Sequence, residues 1–327
     1  MSRFARTSFE QGTSPRISAC EKLRAAAAGE PRSGNDWKRL YPRPFPFRIA
    51  PMADERIASV EVRRVTGQTS SQDTDVLAVE EPLEIRVAWE LSGEPREKNI
   101  AVTMRTPGDD VDLAIGFLFT EALLRSHEEI DSVRHWGSPN VIRIALRPGV
   151  KLDAGKLDRH FYTTSSCGVC GKTSIDALRV TACPLPPNPP VIDAAVVHRL
   201  PAVLREKQAT FHSTGGIHGA AVVDLEGTLI RLREDIGRHN AVDKVIGSLF
   251  REGATPLSNT ILMVSSRASF ELVQKAVVAG IPVLASVGAP SSLAVELARE
   301  FGLTLLGFVR DGRFNVYAGE ARVKGEE

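Results

Sequence analysis

Two cysteines, Cys167 and Cys170, stand two residues apart in the run Ser165-Ser166-Cys167-Gly168-Val169-Cys170-Gly171-Lys172. Glycines on both sides leave the sulfurs uncrowded, and a helical segment, Thr173-Ser174-Ile175-Asp176-Ala177-Leu178-Arg179, follows at once. A helix N-terminus and the Lys172 ammonium both favour thiolate over thiol, and thiolate is the form that attacks sulfur or binds a metal. Four readings compete: a persulfide-carrying nucleophile, a dithiol/disulfide switch, half of a zinc site, and plain burial. Zinc wants four ligands, and beyond this pair the chain offers only scattered Cys183, His160 and His198. A thioredoxin-like switch wants the pair in an early βαβ unit, whereas here it lies mid-chain. A deaminase signature would need His-x-Glu and Pro-Cys-x-x-Cys, and neither occurs. Sulfur transfer leads on these grounds without excluding the others.

Further polar groups sit where an open α/β sheet binds ligands. Ser265-Ser266-Arg267 and Gly288-Ala289-Pro290-Ser291-Ser292 each fall between the end of an expected strand and the start of a helix. Free N–H groups and the helix dipole make both loops suited to phosphate, although the serines alone could be mere N-caps. Thr214-Gly215-Gly216-Ile217-His218 enters a hairpin, and Arg238-His239 opens the helix that leaves it, so His218, Arg238 and His239 are expected to face one crevice. Asp243 and Lys244 could simply be a solvated helix face.

The elements that must position these groups follow from periodicity. Strands are expected around 60–63, 83–87, 100–104 and 141–146, with a helix over 111–124 capped by Gly108-Asp109-Asp110. Strands 218–224 and 228–233 form a hairpin around Glu226-Gly227 and lead to a helix over 237–250. Strands 260–265, 281–287 and 303–309 alternate with helices 269–279 and 291–300, a pattern that predicts right-handed crossovers and a parallel sheet covered by helices. A proline-rich linker at 183–190 separates a smaller α+β domain, 56–182, from this α/β domain, 191–327.

Composition sets the context. With 43% hydrophobic and 25% charged residues and a formal charge of +1, the chain reads as globular, with no nucleic-acid surface. No apolar run approaches the roughly 18 residues a membrane helix needs. Four cysteines and no signal-like segment point to the cytoplasm. Residues 1–51 carry ten Lys/Arg against four Asp/Glu and no sustained period, so a disordered basic extension is expected to about residue 55, with Met52 a possible working start.

Four runs together resemble one known family: Ser166-Cys167-Gly168-Val169-Cys170-Gly171-Lys172, Glu234 through Lys244, Ser265-Ser266-Arg267-Ala268-Ser269-Phe270-Glu271, and Gly307 through Arg313. They are similar to the formate dehydrogenase accessory sulfurtransferases, from about Glu81 to Tyr317; Gly219 departs from the alanine usual there. The resemblance implies a sulfur carrier that takes sulfur from a cysteine desulfurase as a persulfide on Cys167. It then passes the sulfur to the molybdenum (or tungsten) bis(molybdopterin guanine dinucleotide) cofactor required by formate dehydrogenase, with GDP a partial mimic. Cys170 would stabilise, relay or resolve that sulfur. Phe308, Val309, Arg310, Asp311, Gly312 and Arg313 match the family's cofactor-binding stretch. A three-layer sheet like that of cytidine deaminase and a homodimer are also implied. The alternative is a chaperone that delivers the cofactor to the apo-enzyme without carrying sulfur.

Overall fold

Runs of alternating side chains build most of the strands, and the computed structural model describes residues 50–51, 54–150, 152, 185 and 190–325. Cys167, Cys170 and the 183–190 linker, save Leu185 and Pro190, lie outside the described residues, as do residues 1–49. Strand β1 (Ala50–Pro51) pairs with β2 (Ile57–Thr66), which forms a ten-pair hairpin with β3 (Thr69–Ala78). Pairing therefore begins inside the stretch expected to be disordered. Proline is tolerated there because β1 is an edge strand.

Strands β4 (Glu81–Leu91), β5 (Glu94–Arg105), β6 (Ile130–His135) and β7 (Val141–Leu146) form a four-stranded sheet in the order β5-β4-β7-β6. Its inner face carries Leu83, Ile85, Ile142 and Ile144, all fully buried. Helix α1 (Asp110–Thr120) packs on that face.

After β7 come β8 (Ile192–Asp193), α2 (Ala194–Lys207), α3 (Ala209–Thr214), the hairpin β9 (His218–Asp224) and β10 (Leu229–Asp235), and α4 (Arg238–Arg251). The chain continues through β11 (Thr260–Val264), α5 (Phe270–Val278), β12 (Val283–Ser286), α6 (Ser292–Phe301), β13 (Thr304–Arg310), β14 (Arg313–Ala318) and β15 (Val323–Lys324). The six-stranded sheet runs β10-β9-β11-β12-β13-β14. Only β11, β12 and β13 are mutually parallel; β9, β10 and β14 run antiparallel to their neighbours. The expected parallel sheet is therefore mixed, because tight turns at Glu226-Gly227 and Asp311-Gly312 return the chain beside itself instead of through a crossover helix.

Period-two alternation divides this sheet between two cores. Ala221, Val223, Ile261, Met263, Val283, Ala285 and Leu306 meet α2 through Val197, Leu200 and Leu204. Ala220, Val222, Leu262, Val264, Leu284 and Leu305 face α4, α5 and α6, in a core continuous with the four-stranded sheet. Helix α4 joins the two sheets by crossing α1 at a pair of glycines. A Cβ on Gly116 would overlap the Asp243 carbonyl oxygen, and one on Gly247 would overlap that of Asp112. Backbones this close leave room for no side chain.

Charges fill the polar gaps around that crossing. Lys275 on α5 reaches Asp243 on α4 at 2.9 Å, and Thr120 Oγ1 donates to Asp243 at 2.7 Å. Burial pushes the Asp243 carboxyl up. Burial opposes the Lys275 charge too, but the Asp243 and Glu121 carboxylates outweigh it and hold the ammonium above its ordinary value. Lys244 meets Asp235 at 2.8 Å and donates to Thr106 O at 2.8 Å. Asp243 and Lys244 are thus each buried in an ion pair, with Lys275 and Asp235 respectively, and do not form a solvated helix face.

Helix α1 also ends four residues before its expected stop. Ala122 adopts φ 57, and the N–H groups of Leu123 and Leu124 both return to Leu118 O, which closes the helix in a left-handed turn without glycine. At its start Asp109 has φ 55 and makes no side-chain cap; its carboxylate lies 3.4 Å from Arg233 instead.

Candidate functional site

Antiparallel pairing of β9 with both β10 and β11 brings three chain ends to one edge of the six-stranded sheet. His218 begins β9 opposite Asp235, the last residue of β10, while Ala220 pairs with Val264, the last of β11. Helix α4 starts there with Arg238 and His239, and the Ser265–Ser269 loop leads into α5. The β12–α6 loop, 287–291, and the β13–β14 turn lie at the same edge. Phe308 N donates to Gly288 O, Gly288 N to Ser266 O, and Ser291 N to Ala268 O, so three successive loops are laced by backbone hydrogen bonds.

These bonds assign local work to some expected site residues. Ser265 Oγ accepts from Gly219 N at 2.9 Å and Ser266 Oγ donates to Arg267 O at 3.0 Å, so both hydroxyls brace the loop. Ser291 caps α6 by accepting from Ala294 N. Thr214 Oγ1 closes the end of α3, donating to Thr210 O and accepting from Gly216 N; Gly215 holds the left-handed C-cap at φ 65. The Val309 side chain is fully buried in the α2-side core, so only its backbone is available to a ligand.

The turn is built for reach. Asp311 and Gly312 both have positive φ, 54° and 69°, the pattern of a tight two-residue hairpin turn, and Arg310 pairs with Arg313 across it. Phe308 has φ 54 within a bulge between Gly307 and Arg310, which tips its ring under the Arg310 guanidinium at 5.8 Å. Gly307 is needed because a Cβ there would crowd Tyr317 and Pro290.

Electrostatics tie the α4 end to the same edge. Burial chiefly, and then the Arg238 charge, hold the His218 imidazole below its ordinary value. His239 Nε2 lies 2.6 Å from Glu271 Oε2 and 3.4 Å from Ser269 Oγ. That hydrogen bond holds the Glu271 carboxyl below the usual carboxylate range, with Lys275 and Arg238 adding to it. Among the described residues Arg238, Arg267, Arg310 and Arg313 have neither a hydrogen-bonded carboxylate nor an ion-pair partner. The arrangement can bind a polyanion: four guanidiniums with no carboxylate partner among the described residues border the loops of one sheet edge.

Sequence reasoning missed Glu271 and Asp235 as members of this edge. Asp235, fully buried, accepts from Thr106 N, Gly237 N, Asn240 Nδ2 and Lys244 Nζ, and so fixes where α4 begins. The available signal was the spacing of Asp235 and Lys244, which lets the lysine fold back over the helix start. A separate cleft of about 1020 Å³, lined by Ala58, Leu77, Arg105, Asp110, Arg233 and Arg251 among others, includes none of the expected site residues. Its guanidiniums are already paired, Arg105 with Asp110 and both Arg233 and Arg251 with Asp112. No described helix is long and apolar enough to cross a membrane.

Comparison with known proteins agrees with this reading of the motifs. The sulfur carrier protein FdhD of Streptomyces avermitilis is 50% identical over 273 residues, covering 80% of this chain and 94% of that protein. That of Nocardia farcinica is 46% identical over 282 residues, covering 84% of this chain and 97% of its own length. Among solved structures, a candidate formate dehydrogenase accessory protein from Desulfotalea psychrophila superposes with a TM-score of 0.63 over 81% of this chain and 97% of that one. At 23% identity, it speaks for the fold. The sequence model of the FdhD/NarQ family matches residues 78–324, and the chain belongs to that family.

Proposed function

We propose that this protein is a sulfur carrier for formate dehydrogenase: it takes sulfur from a cysteine desulfurase on Cys167 and delivers it to the molybdenum bis(guanine dinucleotide) cofactor, which is its substrate. The observation that carries the reading is the set of four guanidiniums at the sheet edge, Arg238, Arg267, Arg310 and Arg313, unpaired among the described residues of a chain whose buried arginines and lysines are paired. Arginines without carboxylate partners suit the phosphates of a dinucleotide. The names of the FdhD relatives support the sulfur-carrier half. The mixed sheet with helices on both faces is compatible with a three-layer arrangement like that of cytidine deaminase.

In the loading step the Cys167 thiolate attacks the outer sulfur of the desulfurase persulfide. A new S–S bond forms on Cys167, the old one breaks, and the desulfurase cysteine leaves as thiolate, so no external oxidant or reductant is consumed. Cys170, three positions on, is placed by sequence to stabilise, relay or resolve that sulfur. The crevice residues hold the anionic arms of the cofactor while the sulfur is handed over. The protein acts in the cytoplasm, as a homodimer.

Mass spectrometry after incubation with a desulfurase and cysteine tests the loading step. The chain should gain the mass of one sulfur atom, removable by reductant, and Cys167→Ala should gain none. An equal adduct on Cys167→Ala would show that another group is the nucleophile. Stoichiometric zinc held through Cys167 and Cys170 would favour a metal site instead.

A further inference from the structure

Within the cationic edge stands one carboxylate whose bonding is incomplete. Glu271 Oε2 is held by His239 Nε2 at 2.6 Å and lies 3.5 Å from Ser269 Oγ, whereas Oε1 takes no hydrogen bond from any described residue. The side chain is 30% exposed, so Oε1 is open to a ligand. The other carboxylates nearby are engaged by protein donors or stand at the exposed tip of a turn. Asp235 is sealed under Thr106 and Lys244, Glu234 accepts from the N–H groups of Thr210 and Phe211, and Asp311 sits at the exposed tip of the β13–β14 turn.

An ionised carboxylate repels phosphate, so the part of a bound nucleotide that meets Glu271 must bring hydrogen-bond donors. An ionised carboxylate can only accept. Guanine offers N1–H and its 2-amino group side by side on one edge, whereas adenine presents a bare N1 on that edge. We infer that Glu271 is the specificity-determining residue for the base, accepting from the guanine N1–H and 2-amino group, with His239 as the positioning residue that fixes its rotamer from α4. This inference rests on the crevice being the nucleotide site proposed above and adds which residue chooses the base. The arrangement also explains why a carboxylate is kept among four free guanidiniums: its charge faces base rather than phosphate. His239 in turn spends its Nε2 proton on Glu271 and is not a direct phosphate donor through that atom.

Calorimetric titration of the full chain, of Glu271→Gln and of Glu271→Asp with GDP, IDP and ADP decides it, with thermal melting as a check on folding. The unaltered chain should prefer GDP to ADP and bind IDP, which lacks the 2-amino group, in between. Glu271→Gln should lose about ten- to a hundredfold in GDP affinity while ADP binding holds. Glu271→Asp, which keeps the charge, should retain part of the preference. A wild-type GDP:ADP ratio in Glu271→Gln overturns the inference, whether both affinities persist or both fall together. Equal binding of GDP and ADP by the unaltered chain overturns it too and leaves the crevice reading standing. If no nucleotide binds at all, the crevice reading falls and takes this one with it.

Discussion

The crossing of α1, α4 and α5 and the edge of the six-stranded sheet use the same residue types to opposite ends. At the crossing, Lys275 and Asp243 are sealed within 5% exposure of their side chains and satisfy each other and Thr120. At the edge, Arg267, Arg310 and Arg313 stand exposed and Arg238 half-buried, without carboxylate partners among the described residues, and Glu271 has an oxygen to spare. Fully compensated charge costs desolvation and fixes geometry; uncompensated charge at the surface is available for a ligand. Helix α4 serves both, since Arg238 and His239 open it at the edge while Asp243, Lys244 and Gly247 lock its body.

Breaking the crossing should cost most. Lys275→Met leaves the Asp243 carboxylate buried and unpaired, and about 3–5 kcal/mol of stability should be lost in urea titration. Lys275→Met combined with Asp243→Asn should recover part of it, because the orphan charge is gone. Additive losses in the double variant would mean that the pair is not coupled. Gly247→Ala comes next, at about 3 kcal/mol, the upper end of overpacking costs, since the added methyl meets the Asp112 carbonyl rather than a movable side chain. A melting temperature unchanged in Gly247→Ala would show that the helices can part there.

How far the sequence foretold each region follows from the same contrast. Short-range signals pointed to the edge: strand-to-helix alternation placed the 265–267 loop after a parallel strand, and the hairpin around Glu226-Gly227 brought 214–218 and 238–239 beside it, whereas 308–313 entered only through the family resemblance. The crossing was illegible, since Gly116 and Gly247 look like ordinary helix-weakening glycines until the two helices meet. The apolar stripe of α1 likewise ran on past Thr120 without any glycine to announce the stop at Ala122. Asp243 and Lys244 sat at positions compatible with a solvated face; what meets them is Thr120 of α1 and Thr106 just after β5, contributed from more than a hundred residues earlier in the chain. Glu271 was in view within a recognised motif, but its partner His239 is thirty-two positions away, and no local pattern joins them.

The edge should answer mutation in the opposite sense, losing ligand rather than stability. Arg313→Ala removes an exposed guanidinium with no described partner, so its melting temperature should match that of the unaltered chain. GDP affinity should fall about ten- to a hundredfold, the value of one charge-assisted contact. Sulfur loading should survive, as it needs only Cys167. An unchanged GDP affinity would remove the turn from the site, and a lowered melting temperature would move Arg313 to the structural side of the comparison.

The smallest expected effect, and the one that reads both regions at once, is in the pH dependence. His218 has its folded value lowered, first by burial and then by the Arg238 charge. It therefore binds a proton more weakly folded than unfolded. Its contribution to stability is complete above the unfolded value near 6.5 and is lost as pH falls toward the folded one, because the unfolded chain takes up the proton first. The melting temperature should decline modestly from pH 7 to pH 5, and His218→Gln should flatten that slope. A phosphate seated beside His218 and Arg238 would favour the charged imidazole and raise its value, so GDP should protect the fold more at pH 5.5 than at pH 7.5. The Lys275–Asp243 pair is walled off from the ligand and gives no such dependence on GDP. A protection by GDP that is the same at both pH values, in the unaltered chain and in His218→Gln alike, would place the bound phosphates away from the α4 end of the crevice.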